Sequence, residues 1–403
     1  MKILLFFALG VAYAAAQTVC VPESQEELDY HVVLSAVEAF AINLYQEVRS
    51  EAAGNVVVSP LSSAMVLALT WIGANGRTAQ QLGDVLHLPL SRERVATGFR
   101  MLMGSLPTAS NRSDDDPLVQ LANRLYIPNG YQLEEAFSQT AVEDFKSDVE
   151  KLDFADSDVA RNTINQWVAN NTDDLIQNLI PEGFLSAETR LVLVNALLFI
   201  GMWSQPFDES ETESKPFHLS ENEQVNVSMM HGSLRLDYSE LPDFDATVLR
   251  LPYRGSNIES DMLILLPNAV DGLEALESNL GQVEIFNIQF QIRQVTADIP
   301  SFKVETTIDL KDGLQSLHVH DLFDNQADLS GISNEPLYVS GAVQKAYIEV
   351  NENGTVAAAA TAVGVAPLSV PQPAEFNANH PFLFILRIEE TIAFIGRVSD
   401  PSQ

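Results

Sequence analysis

The residues of this 403-residue chain that could do chemistry are many but scattered. Seven histidines, one cysteine and 55 acidic side chains are present, and none falls in a pattern that builds a catalytic centre. There is no Gly-x-Ser-x-Gly turn to expose a nucleophile, no Walker-type loop to cradle phosphate, and no His-Glu-x-x-His helix face to hold zinc. His318-Val-His320, placed on a strand, would turn two imidazoles to one face, but no third ligand accompanies them. Neither a metal nor a cofactor is expected. One pattern invites chemistry from another molecule. Leu368-Ser369 lies between Pro367 and Pro371, with Pro373 beyond, and prolines bias such a dipeptide toward the extended conformation that a protease cleft accepts. Asn-x-Ser/Thr sequons stand at Asn111, Asn170, Asn226 and Asn353, candidates for glycosylation in a secreted chain.

The stretch that carries Leu368 has an unusual composition. From Asn353 to Ala374 it holds no charged and no aromatic residue, and nearly every side chain is small. At period two, Thr355, Ala357 and Ala359 share one face and Val356, Ala358 and Ala360 the other, and either face can pass beneath other side chains. A helix is the poorer reading, because Thr, Val and Gly dilute the alanines and no 3.6-residue stripe is present. Taken alone, the window fits a flexible linker equally well.

Composition narrows the function classes. A net charge of −33 argues against nucleic acid and anionic membranes, and favours basic partners. No window reaches the 18 or more apolar, charge-free residues of a membrane span. Lys2, the apolar run Ile3 to Val11 and the small residues Ala12 to Ala16 read as a signal peptide over residues 1–16, with Gln17 as first mature residue. The protein is therefore expected outside the cell. Cys20 has no partner for an internal disulfide, so the fold must stand on its core.

Residues 17–30 are polar and acidic and read as a mobile lead-in to a single domain over 31–403. Val33, Val37, Phe40, Leu44 and Val48 recur at helical spacing. Asn55 to Val58 reads as a short strand that ends at Ser59-Pro60, where serine caps and proline opens a helix. Thr78-Ala-Gln-Gln81 reads as a capping box for the next helix. Residues 111–117 read as an exposed loop, Val119 to Ile127 as a strand, and Ile164 to Leu179 as a helix running up to Pro181. Leu191 to Phe199 is a charge-free run with one polar residue, Asn195, and suits a central strand covered on both faces. From residue 217 strand-like runs dominate, including Thr247 to Leu251, Asp261 to Leu266, Gln294 to Pro300 and the pair Phe382 to Ile388 and Thr391 to Val398. Helices first and strands later imply an α+β architecture.

Four separated motifs, in order, now bear on the linker reading: Asn55-Val-Val-Val-Ser-Pro-Leu-Ser62 with Gly73-Ala-Asn-Gly-Arg-Thr78; Asn195-Ala-Leu-Leu-Phe-Ile-Gly-Met-Trp203; Glu349-Val-Asn-Glu-Asn-Gly-Thr355 with its alanine run; and Phe376 to Phe384 with Phe394 to Pro401. Together they resemble the serpins, over essentially residues 31–401. The resemblance implies the serpin fold, with helices packed on a large mixed main sheet, smaller sheets and an exposed reactive-centre loop. It makes Glu352, Gly354, Thr355, Val356 and Ala357, Ala358, Ala359 and Ala360 the loop hinge. In the family the residue before the scissile bond lies fourteen positions after the hinge glycine, which gives Leu368, with Ser369 after the bond. Ser59, Ser62, Asn195 and Gln344 match a polar cluster beneath the opening sheet, with Gln344 where many members carry histidine.

The implied partner is a serine protease, and the implied role is that of a suicide substrate with no catalysis of its own. The apolar Leu368 suits a chymotrypsin-like primary pocket, since a trypsin-like pocket wants a cation; elastase-like enzymes could use Val365 or Ala366. Cleavage would let the loop enter the main sheet as a new strand. A monomer is expected, with loop-sheet polymers as its misfolding hazard. The alternative within the family is a non-inhibitory carrier or storage protein. Small residues throughout Ala357 to Ala360 favour the inhibitor.

Overall fold

The computed structural model describes residues 24–89, 91–110, 112–113, 116–255, 258–356 and 373–403. The proposed signal peptide, Cys20, Asn111, Ala357 to Ala360 and the Leu368-Ser369 bond lie outside the described residues.

The chain enters on α1 (Gln25–Glu51), whose buried stripe includes Val33, Val37, Phe40, Leu44 and Val48. The helix begins inside the segment read as a mobile lead-in. Ser24 accepts from the Glu27 amide while the Glu27 carboxylate accepts from the Ser24 amide, a reciprocal cap that holds an otherwise polar first turn. Next come β1 (Val56–Val58) and α2 (Pro60–Gly73), opened as expected by a Ser59 cap and Pro60. The next helix, α3 (Gly76–Val85), corrects the reading at Thr78. It starts after Asn75, so Thr78 lies within its first turn and its hydroxyl accepts from the Asp328 amide instead of capping. After α4 (Arg92–Ser105), the loop expected to be exposed turns inward at its end. Asp116 is buried and accepts from the Ser113 amide at 3.0 Å.

Then follow β2 (Leu118–Pro128), α5 (Glu135–Glu143), β3 (Asp148–Leu152) and α6 (Ser157–Asn170). The last stops well short of Pro181, because Asp173, Asp174 and Asn178 take positive φ and break the helical path. The remaining elements are β4 (Leu191–Met202), β5 (Glu213–Ser220), β6 (Glu223–Leu241), β7 (Ala246–Pro252), β8 (Ser260–Pro267), α7 (Leu273–Ser278), β9 (Gln291–Pro300), β10 (Phe302–Asp309), α8 (Leu310–Ser316), β11 (Val339–Asn351), β12 (Gly354–Thr355), β13 (Ala374–Asn377), β14 (Phe382–Ile388) and β15 (Thr391–Val398). His318 and His320 sit in the turn after α8 rather than on a strand, so the alternation that would have aligned them is absent.

The strands form two sheets. One runs β1-β15-β14-β8-β7-β6-β9-β13, with β5 paired to β6; the other, mixed, runs β10-β11-β12-β4-β2-β3. The architecture is α+β. In the mixed sheet β4 is covered on both faces, as its sequence requires. Leu191, Leu193, Leu197 and Phe199 enter the main core, while Val192, Val194, Ala196 and Leu198 enter a second core beneath α6 with Ile164 and Val168.

Candidate functional site: the hinge and the seam between β4 and β11

Strands β4 and β11 meet as a parallel pair from Leu191 opposite Val339 to Leu197 opposite Ala346. Above that ladder they part, and β12 lies between them, antiparallel to both. Gly354 stands opposite Met202 and Asn351, and Thr355 opposite Gly201 and Val350. The segment that the family resemblance makes the hinge therefore lies within the sheet at Gly354 and Thr355. A two-residue reversal makes this possible. The Asn351 side-chain oxygen accepts from the amides of Asn353 (2.9 Å) and Gly354 (3.2 Å), bonds typical of a tight Asx turn.

Close approach fixes the residue types. A Cβ on Gly354 would lie 2.0 Å from the Gly201 carbonyl oxygen, and one on Gly201 would meet the rings of Phe199 and Tyr253 at 2.7 and 2.8 Å. Thr355 is fully buried, and its hydroxyl lies 2.5 Å from the hydroxyl of Tyr253. Burial pushes the Tyr253 phenol well above its ordinary value, so it stays neutral. Trp203 stacks on Tyr253 at 4.4 Å, and Phe199 meets it edge-on at 4.7 Å. The Trp203 indole donates to the Asn351 carbonyl (2.9 Å) and its amide to the Asn353 carbonyl (2.8 Å). Beside it the Glu352 carboxylate accepts from the Thr212 hydroxyl (2.7 Å), and the Phe207 amide donates to the Glu352 carbonyl (2.9 Å). Val356 then adopts φ +49°, a region β-branched residues rarely enter, while its amide donates to the Glu349 carbonyl.

Lower in the seam, register brings the polar cluster together. Asn123 of β2 stands opposite Asn195 of β4, which stands opposite Gln344 of β11, and this row passes under the N-terminus of α2. The Gln344 amide nitrogen approaches the Ser59 carbonyl, the Ser63 hydroxyl and the Asn195 side-chain oxygen, each at 2.7 Å, and its oxygen accepts from the Ser59 amide at 3.0 Å. The Asn195 amide donates to the Ser62 hydroxyl (2.6 Å) and the Asn123 oxygen (3.0 Å), and Ser62 donates to the same oxygen (2.9 Å). Ser59, Ser62, Ser63, Asn195 and Gln344 are fully buried. All are neutral. The cluster can join or release two strands but transfers no proton at physiological pH.

Four of these residues follow from the sequence; Ser63 and Asn123 were missed. Asn123 did leave a signal, as it shares its strand face with Leu121 and Leu125, and a lone amide among such residues needs partners. Of the sequons, Asn170 and Asn226 are exposed, whereas Asn353 is 7% exposed and donates its side-chain amide to Glu209 at 3.1 Å. Among the described residues no group of three or more His, Cys, Asp or Glu could hold a metal ion.

The comparisons with known proteins agree with this geometry. The family model described as serpin, a serine protease inhibitor, matches residues 35–401. Serpin B3 of Homo sapiens is 36% identical over 385 residues, covering 90% of this chain and 97% of that protein. Serine protease inhibitor 42Dd of Drosophila melanogaster is 36% identical over 356 residues, covering 86% of this chain and 91% of that protein. The crystal structure of Serpin48, described as a highly specific serpin of the insect Tenebrio molitor, superposes with a TM-score of 0.84 at 34% identity, covering 92% of this chain and 98% of that one. The relatives are named as inhibitors rather than catalysts, and the chain belongs to the serpin family of serine protease inhibitors.

Proposed function

We propose that this serpin is a secreted suicide substrate of a chymotrypsin-like serine protease, cut between Leu368 and Ser369. The protease's nucleophilic oxygen attacks the Leu368 carbonyl, the peptide bond to Ser369 breaks with protonation of the leaving amine, and the loop stays esterified to the enzyme. Insertion of the loop behind Thr355 then carries the enzyme away from its attacked position and distorts it before water completes hydrolysis. The observation that carries this reading is β12. Gly354 and Thr355 already lie antiparallel to both β4 and β11, so the strand to be added has its first rung and its direction in place.

The driving force follows from the ladder. A new strand of about a dozen residues gains bonds on both sides, each worth ~0.5–1.5 kcal/mol net, on the order of 10 kcal/mol together. Whole domains are stable by about 5–15 kcal/mol, so the uncut form is held by kinetics. It also exchanges a parallel pairing for two antiparallel ones, the slightly stronger kind.

The test incubates the purified protein with chymotrypsin-like, elastase-like and trypsin-like enzymes. A complex that survives boiling in detergent, with the cut mapped after Leu368, is expected for the first. Cleavage followed by release of active enzyme in every case would establish the carrier reading instead. Leu368→Arg is expected to move trapping to trypsin-like enzymes, and no gain there would show that the register is wrong.

A further inference from the structure

Asn-Gly occurs three times in this chain, at Asn75-Gly76, Asn129-Gly130 and Asn353-Gly354. In that dipeptide the glycine nitrogen, which no neighbouring side chain shields, can attack the asparagine Cγ and displace its amide. The structure holds the three in different ways. Asn129 is exposed in the turn after β2, and among the described residues neither its side chain nor the Gly130 amide has a hydrogen-bond partner. Nothing lies within 4 Å of the place a Cβ on Gly130 would take. Asn75 is half-buried at the start of α3, its side-chain nitrogen on the Ser330 hydroxyl (2.9 Å) and its oxygen accepting from Arg92 (3.0 Å).

Asn353 is held at both reacting atoms. Its side-chain nitrogen, the group that would have to leave, donates to Glu209 at 3.1 Å, and the Gly354 nitrogen, the group that would have to attack, donates to the Asn351 side-chain oxygen at 3.2 Å. The Asn353 carbonyl accepts from the Trp203 amide (2.8 Å), and the Gly354 backbone lies between β4 and β11, so close to the Gly201 carbonyl that there is no room for a Cβ. Asn353 itself is buried. Every one of these restraints belongs to the docked hinge, and all are released together when Gly354 and Thr355 leave the sheet. A reaction that proceeds only from the open form runs at a rate set by the population of that form.

We propose that Asn353-Gly354 is a self-modification site gated by the seat of β12, inert while Gly354 and Thr355 lie in the sheet and deamidating when they leave it. The Gly354 nitrogen forms a bond to the Asn353 Cγ, the Cγ–Nδ2 bond breaks, and the displaced nitrogen departs as ammonia with the proton from Gly354. Water then opens the succinimide. Attack at Cγ leaves aspartate, attack at the main-chain carbonyl carbon leaves isoaspartate, and either product carries one more negative charge. Neither fits the seat. Aspartate sets a carboxylate against Glu209 where an amide donated before, and like charges in contact repel. Isoaspartate lengthens the main chain by the former side-chain carbon, so Gly354 no longer falls opposite Met202. The site thus converts time spent open into a permanent change that keeps the hinge open.

The test incubates full-length, uncut protein, made in a host that adds no glycans, at mildly alkaline pH and follows isoaspartate at the three sites by peptide mapping. Asn129 is expected to react first and Asn353 about tenfold or more slowly. Thr355→Val, which removes the hydroxyl that meets Tyr253, is expected to accelerate Asn353 at least about fivefold and to leave Asn75 and Asn129 unchanged. Asn353→Gln is expected to abolish the hinge product. Modified molecules, separated by charge, are expected to exchange the amide hydrogens of Gly354 and Thr355 faster than unmodified ones. Reaction at Asn353 as fast as at Asn129 in the wild type, a rate at Asn353 indifferent to Thr355→Val, or equal hydrogen exchange in modified and unmodified molecules overturns the proposal. Should Thr355→Val fail to fold, the wild-type comparison of Asn353 with Asn129 and the exchange of the modified fraction still decide.

Discussion

Replacing Thr355 with valine keeps shape and volume and removes one hydroxyl, the partner of Tyr253 at 2.5 Å. Tyr253 is 6% exposed, packed between Trp203 and Phe199, so with the hinge docked its phenol is left with no acceptor or donor. An orphaned buried hydroxyl costs about 1–3 kcal/mol, whereas the undocked state lets water reach it. The ratio of docked to undocked hinge is therefore expected to fall roughly five- to 150-fold. Tyr253→Phe removes the other partner and is expected to cost less, since a threonine hydroxyl can turn to a backbone carbonyl. The double variant leaves neither group unpaired and is expected near wild type, which makes the pair strongly non-additive. Two readouts apply. Trp203 emission reports the seat directly, because its ring stacks on Tyr253 and its indole is bound to the Asn351 carbonyl. The number of inhibitor molecules consumed per protease trapped reports the consequence, since the cut loop must enter through the same seat. Additive effects in the double variant, or singles that match wild type in both readouts, would refute the reasoning.

Other outcomes follow from the same geometry. Thr355→Arg forces an unpaired cation against Tyr253 at a cost of several kcal/mol; with each 1.4 kcal/mol worth tenfold in rate, the variant is expected to be cut at Leu368 and to release active protease. Trapping at wild-type stoichiometry would show that insertion does not pass through this position. Burial holds the His380 imidazole below its ordinary 6.5, with help from His218 and against the bond to the Pro267 carbonyl. Its contribution to stability is thus present above pH 6.5 and is lost as pH falls through that value toward the folded one, because the unfolded chain takes the proton first. His380→Gln is expected to flatten that part of the melting profile, and an unchanged slope would remove His380 as its source. For glycosylation, mapping is expected to find Asn353 free in trapping-competent molecules, since its amide is bound to Glu209. A glycan there in the fully active fraction would contradict the docked hinge.

Much of this was legible in sequence where one residue type admits one solution. Leu191 to Phe199 could only be a strand covered on both faces, and Ser59-Pro60 could only open a helix. The elements that were misread depend on competition between adjacent signals. Asn75 and Gly76 start α3 before the Thr78 box can act, and the Ser24 cap is hidden in a stretch whose polarity suggests disorder. For the hinge, period two correctly turned Thr355 inward, but its docked state could not be read. The phenol that meets it is 102 residues away, and only the register of three strands brings the two together.

The polar cluster in the seam does not balance its own bonding capacity. The Gln344 amide offers two hydrogens to three acceptors, while the Asn123 amide nitrogen, buried in the same row, has no acceptor among the described residues. Natural proteins usually gain thermal tolerance by perfecting such contacts, and that route is poorly suited to this site. On the proposed mechanism, any bond added between β4 and β11 must be broken within the time an attached protease takes to hydrolyse itself free, so a firmer seam would make a slower trap. A lineage of this protein adapting to heat would have to place its stabilising changes away from the cluster, in the nine-stranded sheet and the core behind it, and leave the idle amide of Asn123 as it is.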